Sequence, residues 1–177
     1  MLAPLLVAIA SSNSDAAEGR KPTEYEVKAA YLYSFGRFVK WPRTVAPSEF
    51  SICVYGSDPF GEALESTVAG ESIDHKNISV KRISSAEQAS NCQILFVSSS
   101  AEFTAGNLLA ALKGVPVLTV SDMPGFLNHG GMIQFVMQGD RVRFQVNLAA
   151  AEKAGLNLSS ELLKVAVEVK RDSEGGD

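Results

Sequence analysis

Histidine occurs twice in this 177-residue chain, cysteine twice and tryptophan once, and where those few residues fall excludes whole classes of chemistry. Neither His75 nor His129 lies in a nucleophile or metal motif, and no G-x-S-x-G, H-E-x-x-H or P-loop occurs anywhere. The machinery of common hydrolases, zinc proteases and nucleotide-cleaving enzymes is therefore missing. Basic residues are outnumbered, 16 against 20 acidic ones, for a net charge of −4. They are scattered rather than gathered into a stripe that would neutralise a phosphate backbone, so a nucleic acid partner is excluded. No apolar run reaches the roughly 18 residues of a permanent bilayer span, so the chain is not read as membrane-spanning. Cys53 and Cys92 fall in the apolar runs "SICVYG" and "CQILFVS" with no ligand at metal spacing, which argues against a zinc site. Two thiols fit an oxidising compartment and a reducing one equally well.

What is present is a globular composition, 46% hydrophobic and 20% charged, enough for one domain with a core, since domains commonly run to about 100–200 residues. The stretch "MLAPLLVAIASSNSDAAEG" joins an apolar run, Leu2 to Ala10, to small residues and an Ala16-Ala17 pair. Residues 1–17 thus read as an export signal, weak or truncated because no Lys or Arg precedes the apolar run. Residues 23–170 read as a single domain, and 171–177 as a polar, disordered tail.

In "TEYEVKAAYLYSFGRFVK", Val27, Ala30, Tyr31, Phe35, Phe38 and Val39 follow helical spacing. Thr23 with Glu26 forms a capping box, and Pro42 stops the helix by Trp41. Strands and helices then alternate: "FSICVYG"; "DPFGEALESTVAG" with Asp58 as N-cap and Pro59 at the first helical position; "NISVKRI"; "SSAEQAS", capped by a serine with Glu87 three on from Ser84; "CQILFVSS"; "SAEFTAGNLLAALKG"; and "VPVLTVSD". This order predicts an α/β fold, a three-layer Rossmann-like or flavodoxin-like sheet, mostly parallel and covered on both faces. The runs "GGMIQFVMQ" and "RVRFQVNL" around Gly139-Asp140 predict a C-terminal antiparallel hairpin at the sheet edge, with Val142, Phe144 and Val146 inward. Asn147 caps the helix "LAAAEKAG", and "SSELLKVAVEV" is a last helix from Ser159 or Ser160. His129, beside Gly130 and Gly131 in "HGGMIQFV", becomes a turn residue at the hairpin entrance, and His75 a solvated loop residue.

Doubly wound folds bind ligands beyond the carboxyl ends of their strands, which makes Ser57, Asp58, Ser99 and Ser121 a candidate ligand cleft. The glycines around Asp58 miss phosphate-loop spacing, and its charge would repel a phosphate, so a cap and turn suits it better. Ser99 and Ser121 lack a neighbouring histidine that would make either a nucleophile. Tyr31, Tyr33, Phe35, Phe38 and Trp41 form a dense aromatic stripe, of which Tyr33 and Trp41 are candidates for partial exposure.

Taken together, "KAAYLYSFGRFVKWP", "ICVYGSDPFG", "CQILFVS", "PVLTVSD" and "GGMIQFV…RVRFQVNL…AGLNLSSELLKVA" resemble the YfiR-like family from about Glu24 to Val169. The resemblance implies a periplasmic, non-enzymatic negative regulator without a cofactor. Its partner would be the periplasmic domain of an inner-membrane diguanylate cyclase or sensor kinase, and release would come through an outer-membrane lipoprotein, so that cyclic di-GMP and biofilm formation rise. It also implies a disulfide between Cys53 and Cys92, while a second pair found in some relatives is absent. The candidate partner-binding residues are Gln145, Asn147, Leu156 and Leu158 around the hairpin, with Tyr33, Arg37 and Trp41 as a second patch. Leu156 and Leu158 also suit a packing role. A homodimer through the hairpin edge is a further expectation. The alternative is a periplasmic small-ligand sensor using the loops at the strand carboxyl ends.

Overall fold

A computed structural model describes residues 19–43 and 47–172. The segment read as an export signal and all but the first two residues of the polar tail lie outside the described residues. Helix α1, Glu24–Phe38, starts at a complete capping box: the Glu26 amide donates to Thr23 Oγ1 at 3.3 Å and the Thr23 amide to Glu26 Oε2 at 2.7 Å. It runs directly into a two-residue strand, β1, Val39–Lys40. There follow β2, Phe50–Tyr55; α2, Ala63–Val68; β3, Ser72–Ile73; β4, Lys76–Ile83; α3, Ala86–Ala89; and β5, Ile94–Val97. A 3-10 turn over Ser99–Ala101 leads to α4, Glu102–Ala111, and then β6, Leu118–Ser121. A second 3-10 turn, Phe126–His129, precedes the hairpin of β7, Ile133–Gln138, and β8, Arg141–Asn147. The chain closes with α5, Leu148–Lys153; β9, Asn157–Leu158; α6, Ser160–Val165; and β10, Glu168–Lys170.

The eight-stranded sheet has the order β10-β8-β7-β6-β5-β2-β4-β3, and β1 pairs separately with β9. Neighbours from β4 through β7 are parallel, as is β10 on β8, while β7–β8 and β3–β4 are antiparallel. Side-chain alternation along the strands divides the interior in two. Ile52, Val54, Ile94, Phe96, Leu118 and Val120 join the cluster beneath α1 and α2. Cys53, Leu95 and Val97 join the cluster beneath α4. β5 is therefore apolar on both faces, as a central parallel strand must be. This is the three-layer α/β arrangement the alternation predicts.

Several expectations change. The hairpin is not at the sheet edge, because β10 pairs with β8 through Glu168–Gln145, Val169–Val146 and Lys170–Asn147. The last helix ends at Val165, since Val165, Val167 and Val169 alternate with Ala166, Glu168 and Lys170 in the two-residue period of a strand. Over Gln145–Asn147 the hairpin edge expected to serve a homodimer is taken by β10. α2 starts at Ala63 instead of Pro59: Asp58 Oδ1 accepts the Phe60 amide at 2.8 Å in a turn ahead of the helix. α3 is capped by Ser85, with the Gln88 side chain reaching back to the Ser84 amide, one position beyond the expected cap. On α1 the buried face is Ala29, Leu32, Phe35 and Gly36 with Lys28, while Ala30 and Phe38 are exposed. A lysine on that face disguises the stripe. Asn147 does cap α5, its Oδ1 accepting the Ala150 amide at 3.1 Å.

Two glycines are set by space. A Cβ at Gly36 would collide with Ile73 Cδ1, and one at Gly131 with the Phe126 ring. Cys53, in β2, and Cys92, in the turn ahead of β5, form a disulfide with Cα atoms 6.1 Å apart, closing a separation of 39 residues. Gly36→Ala should cost about 1–3 kcal/mol by overpacking, read by urea unfolding. Paired Cys53→Ser and Cys92→Ser changes should cost about 4 kcal/mol on the chain-entropy account. A pair of variants that melts like the wild type would show that the bridge leaves the unfolded chain unconstrained.

Candidate functional site

The amino-terminal turn of α1 lies at the carboxyl ends of the parallel strands, and it brings a charge inside. The Lys28 side chain is 3% exposed, with its Nζ 2.5 Å from Glu24 Oε1 and 2.6 Å from Asp122 Oδ2. Asp122 follows β6, and its Oδ2 also accepts a hydrogen bond from the Tyr25 hydroxyl at 2.9 Å. The ammonium sits 4.3 Å from the centroid of the Tyr25 ring, a cation–π contact. Burial opposes the charge on Lys28, but the hydrogen bonds to Asp122 and Glu24 prevail and hold it above the ordinary lysine value. Burial, and then the bond to the Asp122 carboxylate, push the Tyr25 phenol up. Beside this cluster opens a cleft of about 530 Å³ lined by Glu24, Lys28, Ser99, Asp122, Gln134 and Met137, among others.

Of the four residues read as a ligand cleft, only Ser99 lines this space. The Ser57 amide donates to Ser100 Oγ at 2.8 Å, which ties the loop after β2 to the loop after β5. Asp58 faces away, pairing with the Arg82 guanidinium, which also meets Glu65. The hydrogen bonds it donates to Glu65 and Asp58 hold that guanidinium above its ordinary value despite its partial burial. Ser121 is fully buried, its hydroxyl donating to the Val97 carbonyl at 2.6 Å and accepting the Met123 amide at 3.1 Å. A hydroxyl so engaged is no free nucleophile.

The partner residues also separate. Tyr33 and Arg37 lie one turn apart on the outward side of α1, the Tyr33 hydroxyl donating to Glu71 at 2.8 Å and the Arg37 guanidinium 5.9 Å from the Tyr33 ring centroid. The hydrogen bond to the Glu71 carboxylate raises the Tyr33 phenol pKa. Trp41 is half-buried, edge-on to Phe50, with its Nε1 donating to the Gln93 carbonyl at 3.2 Å. Gln145 donates to Glu168 across the β8–β10 pair at 2.9 Å. Asn147, Leu156 and Leu158 are buried. Asn147 holds α5 and the Leu127 carbonyl, and Leu158 pairs with Val39 in the small sheet. These three form core and offer no docking surface. His129 stays a turn residue, its Nδ1 2.9 Å from the Gly125 carbonyl. The buried cluster of Tyr25, Lys28 and Asp122 is new relative to the sequence reading. Its signal was Lys28 itself, four, seven and eleven residues before Leu32, Phe35 and Val39 on one helical stripe.

A family model described as YfiR/HmsC-like matches residues 25–167. Among solved structures, a conserved domain protein from Vibrio cholerae O1 biovar eltor str. N16961 superposes with a TM-score of 0.62 at 12% identity, covering 83% of this chain and 60% of that one. An ABC domain in complex with L-Trp from Streptococcus pneumonia gives 0.55 at 10% identity, covering 80% of this chain and 61% of that one. At these identities the likeness is one of fold. The chain spans about three fifths of the length of both solved chains.

Asp122→Ala would leave the Lys28 ammonium with a single, half-exposed partner, and should cost about 3–5 kcal/mol. Adding Lys28→Met should restore most of that, both read by urea unfolding at neutral pH. Because the Tyr25 and Lys28 pKa values are both raised, their contribution is complete below their ordinary values of 10.0 and 10.5 and is lost as pH rises past them. Wild-type stability should fall above about pH 10 more steeply than that of the double variant.

Proposed function

Because the chain belongs to the YfiR/HmsC-like family, we propose that it is a periplasmic protein that binds and represses an inner-membrane diguanylate cyclase or sensor. In this way it tunes cyclic di-GMP signalling and biofilm formation. The family is one of periplasmic regulators rather than catalysts, and the match over residues 25–167 is the observation that carries the reading. A second support is the state of the chain's reactive groups. Ser121 and Lys28 are engaged inside the fold, and Asp58 is held by Arg82 at its surface. Among the described residues no three His, Cys, Asp or Glu side chains gather as a metal site would require. What the surface does offer is a contact face on α1, Tyr33 and Arg37, where an aromatic ring and a guanidinium lie together, the pairing that dominates many protein interfaces. On this reading the partner's periplasmic domain docks there and an outer-membrane lipoprotein competes for the chain.

A small-ligand reading has one observation of its own. The cleft beside Lys28 lies at the strand carboxyl ends, where doubly wound folds bind ligands, and one solved structure of the same fold is an ABC domain in complex with L-Trp. Calorimetric titration with amino acids and nucleotides decides it: heat abolished by Ser99→Arg supports the ligand reading, and no heat rejects it.

The regulatory reading is tested in cells. Deleting the gene should raise cyclic di-GMP several-fold, and the wild-type chain should lower it again. Arg37→Glu should fail to lower it while melting as the wild type does. Cyclic di-GMP that stays level on deletion would end this proposal.

A further inference from the structure

Strand β7 outruns its neighbour β6. The last β6–β7 partners are Ser121 and Gln134, whereas β7 stays paired with β8 as far as Gln138 and Arg141. The Met123 amide, which would carry the parallel ladder on to the Phe135 carbonyl, donates instead to Ser121 Oγ at 3.1 Å. On the other side of β7, the Asn147 amide donates to the Met132 carbonyl at 2.7 Å. Bonded and non-bonded residues alternate along an antiparallel pair. Gln134, Val136 and Gln138 therefore turn their backbone groups to β8, and Phe135 and Met137 turn theirs the opposite way. The Phe135 carbonyl and both backbone groups of Met137 have no strand beside them among the described residues. The cleft of about 530 Å³ touches Gln134, Phe135, Val136 and Met137 in succession. Because successive side chains point to opposite faces of a sheet, a space that meets all four runs along the edge of the strand and not over either face.

The start of α1 and the loop after β6 give this edge a charge. Glu24 and Asp122 line the cleft with Lys28 between them, two carboxylates to one ammonium. The Glu24 side chain is 44% exposed, so the surplus negative charge is open to solvent, where it repels anions and attracts a cation. We propose that the cleft binds an extended segment of another protein, about four residues that include an arginine or lysine, added to β7 in the row beyond the end of β6. Main-chain hydrogen bonds to Phe135 and Met137 hold the segment, as in other strand additions, and its basic side chain meets Glu24. The edge from Phe135 to Gln138 spans roughly 13 Å at about 3.3 Å per residue. Its length and its unpaired backbone select a peptide over a compact ligand, and the carboxylates select a basic one. This inference does not rest on the regulatory reading or on docking at Tyr33 and Arg37.

Random heptapeptides displayed on phage, selected on the immobilised chain and then synthesised with capped ends and a fluorophore, test it by fluorescence anisotropy. Selection should enrich segments with an arginine or lysine among β-branched residues. Met137→Pro removes an amide that faces the cleft and none that faces β8, a position where a strand tolerates proline. It should abolish binding, Met137→Ala should keep it, and circular dichroism should show both folded. Methylating the peptide nitrogens that face β7 should abolish binding to the unaltered chain, and methylating the alternate ones should leave it. Glu24→Gln should remove a preference of about tenfold for arginine over citrulline in the peptide. A selection that enriches nothing, or peptides that all bind Met137→Pro as well as the wild type, would overturn the proposal. So would binding indifferent to which nitrogens are methylated, or no preference for arginine. Free arginine bound as tightly as the peptide would make this a small-molecule cleft and overturn it as well.

Discussion

Gly36 allows α1 to approach the sheet more closely than any side chain would permit, with Ile73 Cδ1 and the Phe50 ring occupying the space a Cβ would need. That approach fixes much of what lies around it. Phe35 and Tyr31, on the adjoining turn, interleave with Phe135 and Phe144 of the hairpin, with ring centroids 5.1 to 6.0 Å apart. At the amino end Lys28 is drawn inside to Asp122. At the carboxyl end Val39 and Lys40 leave the helix in extended form and pair with Leu158 and Asn157, which positions α6 and, after it, β10. The same packing leaves Ala30, Arg37 and Phe38 of α1 outside, with Tyr33 half-exposed beside Arg37.

A chain that works by contact needs a stable frame and a presented surface, and the chemistry of its polar groups follows that division. Inside, three buried polar side chains are committed: Lys28 to two carboxylates, Ser121 to a carbonyl and an amide, Asn147 to the α5 cap. Buried groups so satisfied hold a unique packing and have little capacity left for proton transfer or nucleophilic attack. Outside, charge–aromatic pairs and single apolar residues stand where another protein can reach them. The disulfide serves the frame, since Cys53 and Cys92 tie β2 to the turn that feeds β5 on the face beneath α4.

The central strands were legible in sequence because burial on both faces demands continuous apolar runs, and "SICVY" and "ILFV" have no other economical reading. The capping box at Thr23 and Glu26 and the Asn147 cap were legible because they are local. Tertiary pairing was not. Ala166 to Val169 reads as the end of the last helix by its neighbours, but the helix stops at Val165 and Glu168–Lys170 pairs with β8 instead. Leu156 and Leu158 look like surface candidates in a loop until the β1–β9 pairing buries them. Lys28 and Asp122 lie 94 residues apart, so neither announces the other. The disulfide came from family resemblance, not from spacing, and the structure places its two cysteines within reach.

We propose that this chain acts by binding through the outward side of α1. Hydrogen–deuterium exchange of the purified chain should be measured alone and with the periplasmic domain of the membrane diguanylate cyclase encoded nearest to its gene. Exchange should slow from Tyr33 to Phe38 when that domain is present, and should not slow in the Arg37→Glu variant. Exchange unchanged along the whole chain, with a domain whose cyclase the chain represses in cells, would contradict it.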